Sequence, residues 1–141
     1  MNTIKSQIGR HSVALISLLV ALSSLAYNTW RNEQTEENRN IRAAGIELLL
    51  KLGELERVVF YSHYDRDQDR GNPRSGWAYV LTIRDLGSIM HEPASSSSTE
   101  LIGTWQQNWS GLGSDDLAAS SISDSIDRTR NGVLAVLAAL D

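Results

Sequence analysis

Residues 41–60 read IRAAGIELLLKLGELERVVF, and within them Ile41, Gly45, Leu48, Leu52, Leu55 and Val59 step by 4, 3, 4, 3 and 4. That alternation keeps six positions on one stripe of a helix, which is the seam of a helix lying against near-parallel neighbours. Ile46, Leu49 and Phe60 are read as widening the apolar face, which suits a bundle better than a two-stranded coil. The pattern stops near Tyr64.

Upstream, residues 28–40 are polar on every side and carry neither proline nor glycine. Glu36 and Arg39 are spaced to pair across one turn, so this stretch is expected to be a solvated helical stalk. Before it, residues 12–27 read SVALISLLVALSSLAY, with serines as the only clearly polar side chains ahead of Tyr27. Serine returns its hydroxyl to a carbonyl one turn back and is tolerated in lipid. His11 to Trp30 is about 30 Å of helix, the thickness of a hydrocarbon core. Tyr27, Trp30 and Arg31 stand where ring and guanidinium favour the headgroup region, and they are the expected membrane-interface residues. The competing reading is a cleaved signal peptide, with Lys5 and Arg10 as its charged region and Ser24-Leu25-Ala26 as its cleavage site. Positive charge is close to balanced across the segment, Lys5 and Arg10 before it against Arg31, Arg39 and Arg42 after it. A short basic tail followed by a translocated domain is the commoner arrangement. The expectation is therefore a bacterial inner-membrane protein with a periplasmic C-terminal domain.

Downstream, Asp65 to Gly76 reads DRDQDRGNPRSG and is a loop by composition. A second helix is expected from about Ser75, with Tyr79, Ile83, Leu86 and Met90 on its seam and Trp77 and Val80 beside them, ending before Pro93. Ala94 to Ser98 reads as a small-residue linker, and the spacing of Ser97 and Glu100 places a capping box there. A third helix then carries Leu101, Trp105 and Trp109 on one face, and Gly111-Leu112-Gly113 ends it. Ser114 is the expected cap of the last helix, along which Ile122, Ile126, Thr129, Val133, Val136 and Leu140 step by 4, 3, 4, 3 and 4. The fold class is all-α. The expected layout is a basic tail over residues 1–11, a transmembrane helix over 12–30, a stalk over 31–40 and an antiparallel bundle of about four helices over 41–141.

Composition narrows the chemistry. The 141-residue chain has no cysteine, which removes disulfides, thiolate ligands and cysteine nucleophiles. A net charge of -4 lacks the basic surface that phosphate backbones require, so no nucleic-acid partner is expected. No Gly-x-Ser-x-Gly elbow or phosphate loop occurs, Glu54 and Glu56 do not share a helix face, and the chain is expected to be neither an enzyme nor a cofactor binder. Asp65, Asp67 and Asp69 alternate like the start of a calcium loop. The match breaks at the sixth and twelfth positions, which are Arg70 and Gly76, and the three remain only a weak calcium candidate. His63 and His91 are read as helix-end residues bonding terminal carbonyls. Trp105 and Trp109, one turn apart, are core or partner-facing; with Val133, Leu137 and Leu140 at the apolar C-terminus they are the candidate partner-binding residues.

The function expected from these features is a membrane-anchored, non-catalytic accessory or assembly subunit. Its partners would be the lipid bilayer and another membrane protein or further copies of itself. The alternative is an extracytoplasmic ligand-sensing module signalling through a partner. In outline the chain resembles the four-helix bundles of bacterial receptors, an architectural likeness without a shared motif.

Overall fold

The computed structural model describes the backbone of residues 2–140 and the side chains of residues 12–140. The basic tail over 1–11, with Lys5, Arg10 and His11, therefore lies outside the described side chains, as does Asp141. Four helices follow one another: α1 (Asn2–His63), α2 (Pro73–Gly87), α3 (Ala94–Asn108) and α4 (Asp116–Ala138). No strand occurs among the described residues. The chain divides into two compact units, Met1–Glu37 and Asn38–Asp141.

The first unit is the N-terminal part of α1. It is long and apolar enough to cross a membrane. Val13, Leu15, Ile16, Leu18, Leu19, Val20, Leu22 and Leu25 are all exposed. Tyr27 and Trp30 stand near each other, ring centroids 6.2 Å apart. Thr29 Oγ1 donates to the Leu25 carbonyl at 3.0 Å, the back-bond by which a hydroxyl satisfies itself within its own helix.

The second unit is the bundle. Every member of the α1 seam, from Ile41 to Val59, is buried, and so are the first five members of the α4 seam. Leu48, Leu52 and Leu55 have no exposed surface at all. α4 runs antiparallel to α1 and is tied to it within its length and just beyond both ends. His63 Nδ1 donates to the Leu112 carbonyl at 3.0 Å, Arg130 pairs with Glu56 at 2.6 Å, and Arg42 donates to the Leu140 carbonyl at 2.9 Å. Ile46 and Phe60 do not widen this buried face: they project from the other side of α1 and are about half exposed.

α2 starts two residues earlier than expected, because Asn72 Oδ1 accepts from the Arg74 amide at 3.0 Å and Pro73 supplies the first helical position. It ends at Gly87, so Met90 fills the core from a turn rather than from the helix. The expected linker at 94–98 is helical instead. Glu92 accepts from the Ser96 amide at 3.2 Å and its hydroxyl at 2.6 Å, which starts α3 ahead of the Ser97–Glu100 spacing. The hydroxyls of Ser97 and Ser98 fold back to the Ala94 carbonyl at 3.1 and 2.7 Å, so neither is free to cap. At α4 the cap is Asp115, whose Oδ1 accepts from the Leu117 amide at 2.9 Å, and not Ser114.

α2 and α3 pack antiparallel on glycine. A Cβ at Gly76 would overlap the Trp105 ring, and one at Gly87 would overlap the Ser98 side chain. Trp77 meets Trp109 edge-on at 6.2 Å on the same pair of helices. α3 then runs antiparallel to α4, where Thr129 Oγ1 donates to the Ser97 carbonyl at 3.1 Å. Gly53 is the opposite case, with open space where its Cβ would stand.

This contrast gives a paired expectation. Gly76→Ala destabilises the bundle by about 1–3 kcal/mol through overpacking. Gly53→Ala, in a helix interior with room for the methyl, stabilises it by about 0.5–1 kcal/mol. Urea unfolding of the full chain in micelles, followed by tryptophan fluorescence, reads both; a Gly76→Ala midpoint at or above the parent's would refute the close approach.

Candidate functional site

Three features of the bundle have the surface chemistry for recognition: the uncovered face of α1, the end where the α1–α2 and α3–α4 loops meet, and the aspartate loop between α1 and α2.

On α1 and the residue just past its end, Ile46, Leu50, Gly53, Arg57, Phe60 and Tyr64 step by 4, 3, 4, 3 and 4, repeating the spacing of the buried seam on the outer side. Ile46, Leu50, Phe60 and Tyr64 are exposed, Tyr64 by 68%. Phe60 and Tyr64 lie with ring centroids 5.6 Å apart, a semi-rigid aromatic end to the stripe. Arg57, at its centre, contacts Glu54 at 3.2 Å from within its own helix. A helix with apolar seams on two sides has more apolar face than its own bundle covers. The sequence contains this second register, and Ile46 and Phe60 belong to it rather than to the buried seam.

At the loop end, a cleft of about 470 Å³ is lined by Ser62, Arg66, Gln68, Gly71, Asn72, Pro73, Ser110, Gly113 and Ser114. Gly71 makes the cleft wall: a Cβ there would overlap the backbone of Tyr61 and Ser62, so only glycine lets the loop lie against α1. Arg66 has φ 52, in the left-handed region that side chains other than glycine and asparagine rarely occupy. Gly113 and Ser114 stand out in the sequence only as helix punctuation, and nothing there joins them to Ser62 or Arg66, because the cleft joins two loops about 40 positions apart.

The aspartate loop is organised internally. Asp67 Oδ1 accepts from the amides of Asp69 and Arg70, both at 3.0 Å, and Oδ2 accepts from Arg70 Nε at 2.7 Å. Arg70 in turn lies over the Tyr61 ring at 4.5 Å. Asp67 thus folds the loop onto α1 and has both oxygens occupied. Among the described residues no three histidine or carboxylate side chains are placed to share an ion, Asp65, Asp67 and Asp69 included. His63 is likewise more than a helix-end residue. Besides its bond to Leu112, its Nε2 lies 3.2 Å from Asp116 Oδ1, which ties the end of α1 to the start of α4.

The other sequence candidates separate by burial. Trp105 and Val133 have no exposed surface, so they are core and not partner-facing. Trp109, Leu137 and Leu140 are partly buried and pack against the core from its edge. Tyr27, Trp30 and Arg31 are exposed on the first unit. No family model, curated protein or solved structure matches the chain.

The Asp67 carboxyl is held below its ordinary value of 3.8, chiefly by the Arg70 amide and then by the Arg70 side chain. A depressed carboxyl contributes stability above its ordinary value and loses it as pH falls through the lower, folded value. Asp67→Asn is therefore expected to lower the urea midpoint at pH 7, with the gap to the parent narrowing below pH 3.8. An equal gap at both ends of that range would show that the carboxylate does not hold the loop.

Proposed function

We propose that this chain is a single-pass, membrane-anchored and non-catalytic interaction subunit, whose bundle offers the outer face of α1 to a helix of another membrane protein. The observation that carries the reading is the exposed stripe of Ile46, Leu50, Phe60 and Tyr64 at coiled-coil spacing. Arg57 decides what kind of helix fits. In a parallel pair of identical chains Arg57 would face its own copy at a seam position, a like-charge contact that disfavours pairing. A foreign helix with an apolar face and a carboxylate opposite Arg57 has no such penalty. Anchoring both partners in one bilayer raises their effective concentration, so a modest contact area is sufficient.

The same reading takes the apolar N-terminal segment as a retained anchor, in a bacterial inner membrane with the bundle in the periplasm. A reporter fused after Asp141 checks the side.

Photo-crosslinking in native membranes tests the partner. A photoreactive residue in place of Leu50 or Phe60 should give an adduct with one distinct membrane protein, while one in place of the exposed Asp124 on α4 should not. Arg57→Glu should lower the adduct yield by about threefold or more. Adducts at twice the chain's own mass would make the occupant a second copy and overturn the proposal, as would equal labelling from all three positions.

A further inference from the structure

The cleft at the loop end carries an inference that stands independently of the partner reading. Ser62 is only 8% exposed and lines the cleft, yet its hydroxyl makes no hydrogen bond among the described residues. Some helix hydroxyls fold back on their own helix, as Thr82 does to the Ala78 carbonyl, Thr99 to Ser95 and Thr104 to Glu100; Ser62, like several serines of α4, does not, and what sets it apart is its place on the cleft. Ser62 leaves the carbonyl one turn back alone and lies toward Gly113, whose Cβ would stand 3.7 Å from its Oγ. Ser62 is nearly buried as a residue while its unpartnered hydroxyl keeps an edge on the cleft, so it is available to bond a group that enters.

Arg66 is the second element. It is the only charged residue of the lining. It makes no ion pair or hydrogen bond among the described residues, while Asp67 beside it is taken by Arg70. Its guanidinium is a planar fork that matches a carboxylate through two parallel bonds. Gln68, Asn72, Ser110 and Ser114 complete the wall with neutral donors and acceptors. The volume is in the range of small-molecule sites, about 300–1,000 Å³.

Charge sets the ligand class. One guanidinium balances one negative charge. The lining holds no second cation, and the neighbouring chain carries Asp65, Asp115 and Asp116, so a dianion such as phosphate would keep an unbalanced charge beside a carboxylate-rich surface. We propose that this cleft binds a small monocarboxylate bearing hydroxyl or amide groups. Arg66 receives the carboxylate, and Ser62 Oγ bonds a second polar group of the ligand.

The test uses the full chain, ¹⁵N-labelled in micelles, titrated with lactate, 3-hydroxybutyrate and glutamine. Lactamide and inorganic phosphate serve as comparison probes. At least one of the three carboxylates should give saturable shifts at the Gly71, Gly113 and Ser114 amides, with lactamide and phosphate about tenfold weaker or more. Arg66→Gln should weaken that binding by about tenfold or more, and Arg66→Lys by less, because the charge stays and the fork is lost. Ser62→Ala should weaken it by about threefold to tenfold while leaving the urea midpoint in place. Failure of all three carboxylates to saturate, a lactamide or phosphate response as strong as theirs, or unchanged affinity in Arg66→Gln with the Gly71 amide at its parent position would each overturn the assignment.

Discussion

Leu48, Leu52 and Leu55 line one face of α1 without any exposed surface, in one core with Ile122, Ile126, Val133 and Val136 of α4. α4 returns antiparallel, fastened to the end of α1 through His63 and Leu112 and to its earlier turns through Arg42 and Leu140. Everything else in the bundle follows from that pairing. α2 and α3 are short and bury little by themselves, and they complete the core by closing on each other over Gly76 and Gly87. The polar contacts at the ends of α4 set register, while burial along the seams supplies the driving force, since apolar area removed from water outweighs a few half-exposed hydrogen bonds.

The two seams were legible because a 4–3 alternation has few other meanings. Six buried positions on α1 and five on α4 are where the spacing places them. The boundaries of α3 were not, because the residue that starts it, Glu92, acts across Pro93 on Ser96, whereas the capping-box pattern points three residues on. Small residues misled in both directions. Ala94 to Ser98 looks like a linker by composition, yet Ala94 and Ser98 are buried where α3 meets its neighbours. Gly76 looks like the tail of a loop and is a helix contact. The outer stripe of α1 was readable in principle, and an apolar residue on a helix says nothing alone about which neighbour covers it. The cleft was not readable, because Ser62 and Arg66 acquire their meaning only when Ser110 to Ser114 arrive across from them.

The bundle therefore has two kinds of surface with opposite character. The outer face of α1 is dry, periodic and continuous with the buried architecture, as a surface for helices is. The loop end is polar and irregular, built from one unusual backbone conformation at Arg66, one glycine wall at Gly71 and a hydroxyl without a partner in the protein. These surfaces are compatible in one small domain because the α1–α4 pairing holds both without drawing its own stability from either.

Trp105 is the core's largest fully buried side chain, and its indole N–H has no acceptor among the described residues. An orphaned buried donor costs about 1–3 kcal/mol, a sizeable part of the roughly 5–15 kcal/mol by which whole domains are stable. The bundle thus sits below the stability its own backbone permits. That distance is mutational headroom: a side chain that filled the same space without a stranded proton would raise the bundle's stability.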